Sequence, residues 1–177
     1  TNAPTLAVVT AVKTPTNDTT PNYSFSSSQS GTVTYGGSCG SGTSSITAGD
    51  NITISLTGSD NSSPLDQDNY TNCTITVIDD ASNSSVTLNI GLFRIDTTAP
   101  TVISTSPSNS DNITSVSSSI SVTFSEPMDN ISTNTNTSCD KTLQLSSNDF
   151  SSCIQMSSST PSSNTDNTTF TLSPADN

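Results

Sequence analysis

The strongest constraint on this chain is a two-residue alternation of apolar and hydroxyl side chains. Ile52-Thr53-Ile54-Ser55-Leu56, Cys73-Thr74-Ile75-Thr76-Val77, Val86-Thr87-Leu88-Asn89-Ile90, Ile120-Ser121-Val122-Thr123-Phe124 and Phe170-Thr171-Leu172 all follow it. Tyr23/Phe25 and Val33/Tyr35 repeat it over shorter runs. Successive side chains of a strand point to opposite faces, so each run offers one apolar face and one Ser/Thr face. Threonine suits the outer face because its β-branch favours extended backbone. No apolar stripe at helical spacing is sustained, so almost no helix is expected. Clusters of Gly, Pro, Asn, Asp and Ser separate the runs, which predicts an all-β chain built of β-sandwiches.

The core these strands can build is lean. Leu, Ile, Val and Phe make up 34 of 177 residues, whereas Ser and Thr supply 70. Only 10% of residues are charged, so self-repulsion is modest and the patterned apolar residues can still fold. With 3 Lys plus Arg against 15 Asp plus Glu, the net charge is −12 and no basic patch for nucleic acid can form. The absence of His excludes His-based triads and His-ligated zinc or haem. No apolar run approaches the roughly 18–20 residues of a membrane helix, so membrane insertion is not expected. No charged segment followed by an apolar run marks a leader. The chain therefore reads as a mature or internal part of an exported protein, or as one never exported.

A boundary is readable near the middle. Phe93-Arg94-Ile95 closes a strand, Asp96-Thr97-Thr98-Ala99-Pro100 follows, and Thr101-Val102-Ile103 opens another. Pro100 cannot donate to a sheet and holds Ala99 extended. The same grammar opens the chain, since Asn2-Ala3-Pro4-Thr5-Leu6 parallels Thr98-Ala99-Pro100-Thr101-Val102. Two tandem modules are expected, at residues 1–96 and 97–177.

Residues 1–96 resemble bacterial immunoglobulin-like repeats of surface and secreted proteins, through the D-T-T-A-P linker and the loop Asp79-Asp80-Ala81-Ser82-Asn83. Relatives commonly carry Gly where this chain has Ser82. Residues from about 97 resemble a second bacterial Ig-like type, marked by Ile120-Ser121-Val122-Thr123-Phe124-Ser125-Glu126-Pro127-Met128. The resemblance implies two tandem Ig-like sandwiches outside a bacterial cell. It leaves the second short of about two strands, to be supplied by more chain or by another chain through strand addition.

Four cysteines fall two to a module. Of three connectivities, only Cys39–Cys73 with Cys139–Cys153 keeps each bond within a domain. Such bonds would offset the thin core and imply an oxidising compartment. Their spacing differs from the usual Ig core disulfide, so they read as loop clamps. A four-cysteine zinc site is the rival, without any C-x2-C pair to support it.

Asp79, Asp80 and Asn83 share one loop and Asp96 lies at the linker. Resemblance to calcium-stiffened adhesin repeats makes these four a candidate Ca²⁺ site. Asp60, Asp66, Asp68 and Asn69 form a second cluster. The plain alternative for both is turn formation and solubility.

Eleven Asn-x-Ser/Thr triplets occur, at Asn17, Asn22, Asn51, Asn61, Asn69, Asn72, Asn83, Asn112, Asn130, Asn136 and Asn167. This is a small excess over the roughly seven expected by chance. The tracts Ser117–Ser119 and Ser157–Thr160 could accept O-glycans or serve as solvent-facing filler.

No catalytic constellation stands out. Glu126 and Asp129 are explained by turn solvation, and Lys13 or Lys141 would have to activate a serine without a supporting motif. Gly36–Gly42 lacks the ending of a phosphate loop and reads as a hairpin tip pinned by Cys39. Tyr35 and Tyr70 read as sandwich residues. The expected role is structural, as a building block of a fibre or adhesin stalk whose partners are copies of itself or neighbouring Ig-like domains. Two alternatives remain. One is a carbohydrate- or receptor-binding module, for which Thr53, Thr74 and Thr76 could form a flat face. The other is an accessory module of a larger secreted enzyme.

Overall fold

A computed structural model describes residues 2–108, 118–129, 131–133 and 135–175. The triplets at Asn112 and Asn130, and Ser117 of the first serine tract, lie outside these residues. The described residues are all-β with no helix, and the chain divides into two compact units, Thr1–Thr98 and Ala99–Asn177.

The first unit contains β1 (Leu6–Thr10), β2 (Asn22–Ser27), β3 (Gly31–Gly36), β4 (Cys39–Gly40), β5 (Ser45–Ile46), β6 (Gly49–Ser55), β7 (Thr57–Gly58), β8 (Asp68–Tyr70), β9 (Thr74–Ile78), β10 (Leu88–Asn89) and β11 (Phe93–Ile95). One antiparallel sheet runs β1-β2-β6 and another β10-β9-β3-β5, with short ladders β11-β8 and β4-β7 beside them. The alternation sets the register. Tyr23 lies opposite Ile54 and Phe25 opposite Ile52 in one sheet, and Val33 lies opposite Val77 and Tyr35 opposite Ile75 in the other. Tyr23, Phe25, Ile54, Val33, Ile75 and Val77 join a single buried cluster, as the inner faces of an Ig-like β-sandwich should. Tyr70 stacks on Phe93 with ring centroids 5.0 Å apart, so it belongs to the sandwich as the sequence implies.

The expected strand Val86–Ile90 is shortened to Leu88–Asn89. Ser85 interrupts it, because its backbone N–H donates to Val77 O (2.8 Å) while its hydroxyl accepts from Val77 N–H (3.0 Å). A side chain replaces a ladder bond there, and Val86 is turned out to 87% exposure.

The second unit contains β12 (Val102–Ser106), β13 (Ile120–Phe124), β14 (Ser162–Ser163) and β15 (Thr169–Leu172), in the sheet order β12-β13-β15-β14. Val122, Met156 and Leu172 are its buried cluster, with Ile120, Phe124, Leu143 and Leu145 half-buried around them. The first unit buries sixteen residues in its cluster, so the second has the thinner core among described residues. Among these residues β12 is an outer strand, exposed along its whole length, with Val102 and Ile103 facing out.

Candidate functional site

The features able to carry a function lie on turns, strand ends and the linker. Both disulfides join the pairs expected from the sequence, Cys39 to Cys73 and Cys139 to Cys153, with Cα atoms 5.3 Å apart in each. The first is more than a loop clamp. Cys39 lies in β4, Cys73 immediately precedes β9, and both are buried members of the core cluster. The hairpin tip ahead of Cys39 is the turn at Gly37, whose φ of 79° puts it in the left-handed region. A Cβ there would meet Asn72 O at 2.1 Å, which leaves glycine as the residue that fits.

The run Asp96-Thr97-Thr98 is tied back onto the first unit. Gln67 Oε1 accepts from Thr97 N–H (3.0 Å), from the Thr97 hydroxyl (2.9 Å) and from the Thr98 hydroxyl (2.9 Å). Asp96 Oδ2 meets Arg94 at 2.7 Å, and its Oδ1 accepts from Thr98 N–H at 3.2 Å. Thr16 N–H donates to Arg94 O (3.0 Å) and Asp96 N–H to Thr16 O (2.8 Å), so the exit strand is paired in parallel with an early segment. Each motif residue thus has a local structural task. Gln67, the acceptor that gathers the two threonines, carries no sequence signal and was missed.

In the second unit Ser125 of the F-S-E-P-M run holds the start of β12. Its hydroxyl accepts from Thr101 N–H and its N–H donates to Thr101 O, both at 2.9 Å. Met128 N–H donates to Asn167 O at 2.8 Å. Glu126 departs from simple turn solvation, since its Oε1 is buried without a hydrogen-bond partner among the described residues.

Of the four calcium-ligand candidates, Asp79 and Asn83 are brought together, through hydrogen bonds to each other. Asp79 is buried, and its Oδ1 accepts from Ala81 N–H (3.0 Å) and Asn83 N–H (2.8 Å), while Asn83 Nδ2 donates to its Oδ2 at 2.9 Å. These bonds, led by that from the Asn83 side chain, hold the Asp79 carboxyl below the usual carboxylate range. Asp80 is exposed, and Asp96 is engaged by Arg94. In the second cluster Asp60 is spent on its own turn, accepting from Ser62 N–H, Ser63 N–H and the Ser63 hydroxyl, which lowers its pKa well below the usual range. Asp68 caps Asn69 N–H at 2.7 Å, and the Asp66 carbonyl takes the Tyr70 hydroxyl at 3.0 Å. Among the described residues no three His, Cys, Asp or Glu side chains come together as a metal site.

The flat threonine face does not form either. Thr53 lies on β6, whereas Thr74 and Thr76 lie on β9 in the other sheet. Lys141 sits 3.4 Å from Asp140 at the surface, and Lys13 is exposed.

Residues 96–177, a little under half of the chain, match the family model described as a bacterial Ig-like domain. Comparison with curated proteins and with solved structures gives no match. The family match supports a bacterial Ig-like domain in the second half and points to a bacterial surface or extracellular module.

Proposed function

We propose that this chain is a structural module of a bacterial cell-surface fibre or adhesin stalk, a spacer that holds its shape outside the cell. The observation that carries the reading is the pair of intra-unit disulfides, one in each compact unit, in a chain whose second half matches a bacterial Ig-like domain. Structural disulfides persist in oxidising surroundings and compensate for small cores. The linker hydrogen bonds to Gln67 extend the ordered part of the first unit through Thr98.

The partners that suit this role are further Ig-like domains or copies of the chain, meeting along open edges. The exposed outer strand β12, with Val102 and Ile103 turned out, favours that mode of contact. Electron microscopy of native material with an antibody to this chain tests the reading. Labelled filaments or stalks projecting from cells are expected. Label confined to the cytoplasm would overturn it.

A further inference from the structure

Among the described residues, coil rather than a second sheet covers the apolar face of β13 and β15. Ile120 lies opposite Leu172 and Val122 opposite Phe170, so the two strands turn these side chains to one face. Phe124 meets Phe170 edge to face, with ring centroids 6.0 Å apart. Leu143, Leu145 and Met156 pack there from outside the sheet, all from residues 131–161, where no described residue joins a strand.

This cover is held mostly by itself. Leu143 N–H donates to Ser132 O (3.0 Å), Cys153 N–H to Thr137 O (2.9 Å), Ile154 N–H to Leu145 O (2.8 Å) and Thr133 N–H to Ser159 O (3.0 Å). Its hydrogen bonds to the sheet layer, among the described residues, fall just past β15. There Ser157 N–H donates to Ser173 O and Ala175 N–H to Gln155 O, both at 2.9 Å. These bonds tie down Met156 between them. Leu143 and Leu145 have no such tie among the described residues, and both lie inside the loop that Cys139–Cys153 closes. The disulfide therefore restrains two of the three apolar side chains that the cover supplies. A core this small depends on such a staple. The first unit differs, since sixteen buried residues form its cluster and its own disulfide lies among them.

The two disulfides also differ in access. Cys39 and Cys73 are 2% and 0% exposed, whereas Cys139 is half-buried between exposed Ser138 and Asp140. Access governs thiol–disulfide exchange, so Cys139 is the sulfur open to attack.

We infer that Cys139–Cys153 is a redox latch: oxidised, it holds the cover on the β13–β15 face, and reduced, it lets the loop that carries Leu143 and Leu145 lift away. The reductant is a dithiol. One of its thiolates attacks the Cys139 sulfur, and Cys153 leaves as a thiolate and takes a proton. The second thiolate then attacks the mixed disulfide, which frees Cys139 as a thiol with the second proton and leaves the reductant as its disulfide. The unit is open in a reducing compartment and shut in an oxidising one. The latch rests on the packing of the second unit, and either it or the spacer role can fail without the other.

The test is stepwise reduction of the full chain with dithiothreitol, trapped by N-ethylmaleimide and read by peptide mass. Cys139 and Cys153 should be labelled at a concentration that leaves Cys39–Cys73 intact. At that concentration amide exchange at Leu143 and Ile154 should rise about tenfold or more, while the bonded amides of Val33 and Val77 in the first unit stay protected. Fluorescence of an anilinonaphthalene sulfonate dye should rise as the apolar face is uncovered, and reoxidation should reverse both changes. The inference is overturned if Cys39–Cys73 opens first or at the same concentration, or if exchange at Leu143 and Ile154 is unchanged once Cys139–Cys153 is reduced. It is overturned equally if exchange rises with no gain in dye fluorescence, which would mean that the loop loosens without leaving the face, or if the changes persist after reoxidation.

Discussion

Ser82 holds a left-handed backbone conformation, φ 65°, in the turn where its N–H donates to Asp79 O at 2.9 Å. An L side chain pays a steric cost there that glycine does not, which accounts for the glycine commonly found in the repeats this loop resembles. Ser82→Gly should therefore raise the stability of the first unit by about 1 kcal/mol, read by urea unfolding. Asp79 in the same loop gives a pH signature. Its folded pKa lies below the unfolded value of 3.8, so its contribution is complete above that value and is lost as pH falls below it. Stability should drop on acidification below about pH 4, and Asp79→Asn should flatten that drop while lowering stability at neutral pH. A slope unchanged in Asp79→Asn would remove Asp79 from the acid response. The hydroxyls that dominate the composition also act locally. Ser24 with Thr53, Ser121 with Thr171 and Thr123 with Thr169 pair across strands at 2.7, 3.0 and 3.1 Å.

At the scale of elements, the disulfides and the linker hydrogen bonds are contributions that single substitutions can separate. The chain-entropy model gives about 4 kcal/mol for closing the 34-residue separation of Cys39 and Cys73, and about 3 kcal/mol for the 14 of Cys139 and Cys153. Replacing Cys39 and Cys73 by alanine should cost at least that much, because both sulfurs also lie in the core. A smaller loss would mean that the bond is not a principal support. Gln67→Ala should speed hydrogen exchange at Thr97 without a comparable change in the β9 amides, since only the linker loses its acceptor. Equal acceleration throughout the unit would show that Gln67 supports the sandwich instead. Strand identity and face were legible from alternation alone, as with Tyr23, Phe25, Ile54, Ile75 and Val77. What alternation could not show was any feature made by a side chain standing in for backbone. Ser85 replaces a ladder partner, Gln67 captures a linker thirty residues away, and Asn61 caps Ser41 across a turn. Such contacts depend on distances closed only by the fold. For the same reason sequence adjacency did not show that Asp79 and Asp60 accept from the backbone of their own turns.

The whole molecule comprises two disulfide-clamped all-β units, the first held in order through Thr98, and the proposed spacer role requires each of them to resist extension. Stretching the single chain from its ends, with and without reductant, tests this most directly. Each unit should unfold as a discrete event under force. Reduction should lengthen the extension by roughly 3.5 Å per released residue, about 120 Å for the 34 residues behind Cys39–Cys73 and about 50 Å for the 14 behind Cys139–Cys153. A chain that extends without discrete events, or that gains no length on reduction, would contradict it.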